Sequence, residues 1–581
     1  MTAKEVAALL REIGQLLQLK GENPFKTRAY EQGADAFEAM PADPAAKGGL
    51  LERVREGTLG QLAGVGKAID TKVTELVQTG KLEYLEKLRA EFPGPALELM
   101  KVPGLGPKRA AIVLRELRPK TLADVAEACR AHHIRTLKGF GEKMEQQILE
   151  GLEEYQARGQ RRPITETLPA AEALLEVVKA APGVVRAEIA GSVRRFAETN
   201  ADADLVASTA AAGQHGPVMD AFAGYAEVQA VLSRGDTKTS VRLKSGLQVD
   251  LRVVPDAQFA TALHHFTGSK AHHVKLRGLA RDRGLTISEY ALARIDTGEA
   301  LPVTTEAELY RHLGLHEVPP ELREDRGEIE SAASSPLPEL IRIEDVQGFV
   351  HCHTTWSDGK NSVEEMARGA LARGKKFIVI SDHTQTAHYA GGLGPDRLKQ
   401  QWDEIAKAQE AVPEIRILRG SEVDILEDGS LDLPDGILEQ LDVVIGSVHQ
   451  RHGLDEAGQT KRLTKALQHP RFQIWGHGTG RLIGDRPPIA AKWADLFALA
   501  AEKGVVVECN GTPRRLDFGA DLLQLARKAG CDVCLSVDAH AVKDLDFLPW
   551  AVGTARRGWT ERSRVVNARP PDEFLAALRR G

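Results

Sequence analysis

Past residue 343 the chain repeats one device: KFIVISDH, LDVVIGSVH, VVVECN and VCLSVDAH are apolar for a strand's length, then stop on polar groups. Short uninterrupted apolar runs suit strands covered on both faces, and polar strand ends place a site at the strand C-termini. The βα alternation from GFVHCHTTW onward therefore points to a barrel or a layered α/β domain. His351 and His353 of HCH share one face of a strand. Asp358 follows in WSDG, His383 in SDH, Glu422 in GSEVD, His449 in SVHQ, His477 in WGHG, then Asp538 and His540 in VDAH. A single histidine is most often a satisfied polar group. Nine such residues at successive βα junctions form a set able to hold three divalent ions, with mixed N and O ligands suiting Mn²⁺, Zn²⁺ or Fe²⁺ and Glu422 as the bridging carboxylate. Arg514 and Arg515 in GTPRR read equally as a DNA-backbone contact or a surface basic pair.

A second acidic feature lies upstream. In DADLVAS, Asp202 and Asp204 stand at i and i+2, on one face of a strand, where two carboxylates repel and resist burial. Asp250 interrupts the apolar alternation of LQVDLRVV. If the two strands are neighbours, three carboxylates converge, an arrangement that divalent cations stabilise and that two-metal phosphoryl transfer uses. Just before them, Gly191, Ser192, Arg194 and Arg195 in GSVRR form a glycine-led turn with a hydroxyl and guanidinium groups suited to a triphosphate.

The first 155 residues are helical in pattern, interrupted by LAGVGKAIDTKV, VPGLGPKRAAIVL and LKGFGEKMEQQIL. Each has an apolar residue, then Gly-x-Gly (Gly64 and Gly66, Gly104 and Gly106, Gly139 and Gly141), then a helix with Lys or Arg, such as Lys108, in its first turns. Bare backbone N–H groups at a helix N-terminus favour an anion, and a DNA phosphate fits. These segments resemble helix-hairpin-helix motifs, which hold the sugar-phosphate backbone without reading sequence.

At 581 residues the chain calls for three or more domains. No membrane-span or signal-peptide pattern is present, so a cytoplasmic protein is expected. Five cysteines make no disulfide framework, and Cys531 and Cys534 stand in a strand-like run that suits no metal knuckle. The net charge of -6 does not exclude nucleic acid, because residues 101–150 hold ten Lys/Arg against six Asp/Glu.

Together GSVRRFAETNADADL, LQVDLRVV and HHFTGSKAHHVKLRGLARDRGLTISEY resemble family X DNA polymerases, the group of vertebrate repair polymerase beta, over about residues 1–325. The resemblance implies that Asp202 and Asp204 bind two Mg²⁺ or Mn²⁺ ions, that Asp250 acts beside the primer 3′-hydroxyl, and that Gly191, Ser192 and Arg195 hold the nucleotide phosphates. It sets Phe266 and Gly268 on the sugar side of the nucleotide and Arg277 near the template minor groove. His265 replaces the family's tyrosine and His273 its base-edge asparagine, which implies weaker rejection of ribonucleotides. Lys72 falls where the family places a Schiff-base lysine, while Ala68 replaces another of its lysines; deoxyribose-phosphate lyase action and simple 5′-phosphate binding both remain open. The histidine-rich half resembles the PHP (polymerase and histidinol phosphatase) domain, a distorted barrel of about seven strands. Beside a polymerase it implies Mn²⁺-stimulated 3′–5′ exonuclease activity and leaves AP-endonuclease or 3′-phosphatase activity open.

The expected architecture is multidomain: a helical 8-kDa-like domain (1–88) and a helix-hairpin-helix fingers-like domain (89–158), an α/β nucleotidyltransferase palm (159–256), a thumb (257–320), a linker (321–342) rich in charge, Ser and Pro, and a distorted (βα)7 PHP barrel (343–581). The expected substrates are gapped or primer-template DNA and dNTPs, handled by a monomer off the membrane. Two other readings compete. One is a PHP phosphoesterase whose N-terminal half only binds DNA, disfavoured by Asp250 and FTGSK. The other is a non-templated nucleotidyltransferase, disfavoured by the helix-hairpin-helix and thumb segments.

Overall fold

The computed structural model describes residues 2–38, 40, 49–62, 64–92, 95–100, 102, 105–159, 161–210, 213, 215–483 and 485–578. The chain divides into two compact units, residues 1–160 and 161–581. The first is helical. Leucines and isoleucines at three- and four-residue spacing in α1 (Ala3–Lys20), with Tyr30, Ala34 and Phe37 of α2 (Pro24–Glu38), face one buried cluster shared with α3 (Lys67–Thr79), α4 (Pro107–Leu117) and α5 (Glu142–Gly159). A Thr2–Glu5 capping box starts α1, and Gly21 in left-handed conformation stops it.

The second unit opens on helix α6 (Ile164–Lys179), packed against a five-stranded sheet of β1 (Val184–Ala190), β2 (Asp202–Thr209), β3 (Val228–Arg234), β4 (Lys238–Leu243) and β5 (Gln248–Pro255). The sheet order is β1-β2-β5-β4-β3, with β2 and β5 the parallel pair at its centre. Helices α7 (Phe259–Thr267) and α8 (Lys270–Asp282) then lead into the thumb region.

Seven parallel strands follow in sequential order: β6 (Gly348–Cys352), β7 (Phe377–Ile380), β8 (Arg416–Asp424), β9 (Val443–Ser447), β10 (Ile474–Trp475), β11 (Val506–Asn510) and β12 (Val533–Ser536). A parallel bridge from Cys352 to Ala539 links the two edges, so the sheet is a nearly closed barrel. Apart from β8, where Arg416 is exposed and Arg419 half-buried, its strands are buried throughout, which explains why they read as continuous apolar runs. Val350, Val379, Leu418 and Ile445 cluster with Phe574 and Leu578 of the C-terminal helix, while Phe349, Ile378, Ile380 and Val444 pack with the surrounding helices. Helix α9 (Leu548–Arg557) packs near the barrel's last strands.

The segment expected as a linker, 321–342, is instead part of the packed thumb. Leu322, Ile329, Ala332 and Leu340 are buried in its core. Arg323 is fully buried, its Nη1 donating to Glu306 Oε1 at 2.5 Å, and Glu328 pairs with His272 at 2.7 Å. Charge that reads as solvated in the sequence is neutralised internally. All five cysteines are free and buried. Among the described residues no helix is long and apolar enough to cross a membrane.

Candidate active sites

The parallel register pairs Asp204 with Asp250 and Asp202 with Gln248, so three carboxylates share one end of the β2-β5 pair. Burial, reinforced by the charges of Asp202 and Asp250, lifts Asp204 to about 7. Asp202 is raised by burial and by Asp250. Burial would raise Asp250 too, but hydrogen bonds from Lys238, Gln248 and Ser240 outweigh it and leave it lowered. Lys238 contacts Asp250 directly, and Gln248 Nε2 donates to it at 2.9 Å. Carboxylates that repel one another this strongly form a site suited to a divalent cation.

The glycine-led turn closes on this cluster. Gly191 has φ +62°, and a Cβ there would stand 2.1 Å from Asp204 Oδ2. Only glycine lets the turn approach that carboxylate. Ser192 Oγ donates to Asn200 at 2.7 Å. Arg195 contacts the Thr267 carbonyl and Glu324, and a Cβ on Gly268 would lie 3.1 Å from its guanidinium, so FTGS and GSVRR meet. The Arg252 guanidinium sits 4.4 Å from the centre of the Phe266 ring. His273 is buried, with Nε2 donating to the His264 and His265 carbonyls, and burial pushes it down to about 4. Arg277 is exposed and reaches His265 at 3.3 Å.

The second cluster lies at the strand C-termini of the barrel. Glu422 faces histidines through both oxygens: Oε2 lies 3.2 Å from His351 and 3.0 Å from His383, and Oε1 lies 3.2 Å from His449 and 2.7 Å from His477. Asp538 is 3.2 Å from His353, and Asp358 is 3.3 Å from His540. All nine residues fall within four overlapping groups whose donor atoms lie within 4.8 Å of one another. His351, His477 and Asp538 adopt left-handed backbone, at roughly 1–3 kcal/mol each, strain of the kind that gathers at functional sites.

The polar atoms here test whether cations fit. His351 Nε2, both His353 ring nitrogens, His383 Nδ1, His449 Nε2 and both Glu422 oxygens are buried without a hydrogen-bond partner. Leaving each so costs about 1–3 kcal/mol, and a divalent cation satisfies this donor set. Glu508 accepts from His351 Nδ1 at 2.6 Å, and Asp424 does the same for His449, which leaves each Nε2 lone pair facing Glu422.

Several of these residues escape a reading of the sequence. Glu508 and Asp424 stand in the same strand-end motifs and strand alternation could have found them; Lys238 and Tyr389 carry no such signal. Tyr389 is 69% exposed, yet its ring centre lies 6.1 Å from His383 and 6.4 Å from His449, at the mouth of the cluster. Arg515 Nε stands 3.4 Å from Asp538, and its Nη1 is buried without a partner.

In the N-terminal unit, Gly66 and Gly106 cap α3 and α4, and Gly141 accepts the first turn of α5. Gly64 and Gly139 have positive φ. A Cβ on Gly66, Gly106 or Gly141 would meet nothing within 4 Å, so no internal packing requires glycine there, whereas an external backbone would. Lys108 is exposed. Gly104 lies outside the described residues. Lys72 Nζ sits 4.8 Å from the Tyr84 ring centre and donates to the Ala68 carbonyl.

The chain matches family models for a helix-hairpin-helix domain over residues 1–82, a SAM-like helix-hairpin-helix tandem over 96–154, the DNA polymerase beta thumb over 262–324 and the PHP domain over 350–512. It is 28% identical over 228 residues to a probable phosphatase of Thermoanaerobacter sp. (strain X514), covering 37% of this chain and 88% of that one. It is 37% identical over 582 residues, 100% of each chain, to a Bacillus subtilis (strain 168) protein named DNA polymerase/3'-5' exonuclease PolX. With both carboxylate and histidine clusters assembled on one chain, that full-length likeness shows that the protein belongs to the PolX family, the family X DNA polymerases that carry a C-terminal PHP domain.

Proposed function

We propose that the chain fills short gaps in DNA by templated addition of deoxynucleotides and removes nucleotides from 3′ ends at a second centre, acting as a monomer. The convergence of Asp202, Asp204 and Asp250 beside the Gly191 turn carries the reading, because a DNA-binding scaffold for a phosphoesterase has no use for it.

Asp202, Asp204 and Asp250 would hold Mg²⁺ or Mn²⁺, whose charge activates a 3′-hydroxyl and steadies a leaving pyrophosphate. Asp250, held by Gln248 and Lys238, would act beside the primer 3′-hydroxyl. Ser192 and Arg195 hold the triphosphate in line for attack. Phe266 and Gly268 would border the sugar and the exposed Arg277 would lie toward the template, whereas His273, buried with Nε2 on the His264 and His265 carbonyls, is turned away from a base. With His265 in place of tyrosine, rejection of the ribose 2′-hydroxyl is weak. The exposed glycines of the N-terminal hairpins and Lys108 grip the phosphate backbone, and Lys72 contacts a 5′-phosphate at the gap.

In the barrel, the nine histidines and carboxylates would hold up to three Mn²⁺, Zn²⁺ or Fe²⁺ ions, which supply Lewis acidity for phosphodiester hydrolysis. Arg515, whose Nη1 is buried without a partner, would take a phosphate oxygen, and Tyr389, beside His383, would stack on the terminal base.

The test is a one-nucleotide gap bearing a 5′-phosphate, with Mg²⁺ or Mn²⁺ and each dNTP in turn. Addition of one complementary nucleotide is expected. Phosphoester hydrolysis with no extension under any metal would return the protein to the phosphoesterase reading.

A further inference from the structure

The nucleotide-phosphate turn is held from outside its own domain. Directly after Arg195 comes Phe196, whose φ of +53° is a backbone conformation that bulky residues rarely adopt. Its ring is driven onto α9 of the barrel. Trp550 lies 6.1 Å away, centre to centre, and a Cβ on Gly553 would stand 2.2 Å from the Phe196 ring. The glycine makes the hole and the phenylalanine fills it. Leu516 of the barrel belongs to the palm's own buried core, with Ile483 and Trp550 packed against it.

Polar contacts run beside this plug. Arg557, at the end of α9, donates through Nη1 to the Arg195 carbonyl at 2.8 Å and to Glu324 Oε1 at 2.8 Å. The same Glu324 oxygen accepts from Arg195 Nε at 2.9 Å. The three side chains are only 14–18% exposed, so the pairings are largely shielded from water. Three residues further along the turn, Glu198 accepts from Arg481 at 2.6 Å, and Arg481 also holds the Arg515 carbonyl beside the histidine cluster.

We propose that the PHP barrel is a structural part of the polymerase's nucleotide site: Arg557 and the Phe196–Gly553 plug are positioning elements that set the backbone and guanidinium of Arg195. A polymerase turn that needed no such support would carry a residue at home in left-handed backbone at position 196, and α9 would not need a glycine facing it. The proposal rests on the reading that Arg195 holds the incoming nucleotide's phosphates.

The experiment is single-nucleotide gap filling with dNTP titration on full-length Arg557→Ala, Phe196→Gly, Gly553→Val and Arg195→Ala, with 3′–5′ degradation of single-stranded DNA measured on each. Phe196→Gly keeps the turn's conformation accessible while removing the plug, and Gly553→Val attacks the same contact from the barrel side. The expected result is a KM for dNTP raised roughly tenfold in the first three, affinity for gapped DNA and exonuclease rate held within about twofold, and partial recovery in Arg557→Lys. Arg557→Ala should add nothing further on top of Arg195→Ala. If Arg195→Ala raises KM while the three interface variants leave it alone, the bracing role is overturned. If Arg195→Ala itself leaves KM unchanged, the assignment of Arg195 fails and the proposal falls with it. Equal losses in extension, DNA affinity and exonuclease activity would mean general destabilisation and would also overturn it.

Discussion

At the scale of single residues, the two sites are built from steric permission as much as from charge. Gly191→Ala adds one methyl group where Asp204 Oδ2 already stands, so gap filling should fall by at least about a hundredfold while exonuclease activity stays intact. At the other centre, Tyr389→Ala should slow removal of a 3′ nucleotide by roughly tenfold, as expected for loss of a stacking platform, with hydrolysis of bis(p-nitrophenyl) phosphate unchanged. A parallel loss on that small ester would show that Tyr389 supports the cluster rather than the base. The acidic and imidazole sets are legible in the sequence because period-two spacing and strand-end position betray them. Tyr389 lies in a single 3-10 turn (His388–Ala390), and Lys238 reaches Asp250 from the neighbouring strand, so neither shows a local pattern. The steric role of Gly191 is likewise invisible until the turn and β2 meet.

At the scale of elements, the thumb is organised around one buried ionic knot. Glu306 accepts from Arg194 Nη2 at 2.6 Å and from Arg323 Nη1 at 2.5 Å. Burial works to raise its carboxyl, but Arg323 and Arg194 prevail and hold it at about 2. A carboxylate lowered on folding stabilises the protein above its unfolded value of about 4.5, and that contribution drains away as pH falls toward 2. The difference corresponds to about 3 kcal/mol. Urea midpoints should therefore drop between pH 5 and 2 more steeply in the native protein than in Glu306→Gln; equal slopes would remove Glu306 from the account. The parallel barrel is readable element by element because its strands other than β8 are buried on both faces. The segment 321–342 was not, because its charges look solvated in one dimension and find partners only in three: Arg323 with Glu306, Glu328 with His272, and Glu321 with Arg556 at 2.7 Å.

At the scale of the whole molecule, residues 161–581 form one unit in which palm, thumb and barrel complete one another's cores: Leu516 lies in the palm core and Trp559 in the thumb core. Trypsin should consequently spare Arg323 in the native protein, and rapid cleavage there would contradict a packed thumb–barrel junction. Physical continuity does not merge the chemistry, since the aspartates of β2 and β5 and the histidines at the barrel's strand ends share no donor atom. The central claim is that two separate nests, one of mutually repelling carboxylates and one of buried imidazoles and carboxylates, each gather their own divalent cations and perform their own reaction. The direct measurement uses Asp204→Asn and His353→Ala on one gapped substrate with Mn²⁺, reading extension and 3′ degradation together. Asp204→Asn should abolish extension and leave degradation at its native rate, and His353→Ala should do the reverse. Loss of both activities in either variant, with the fold intact by circular dichroism, would contradict the account.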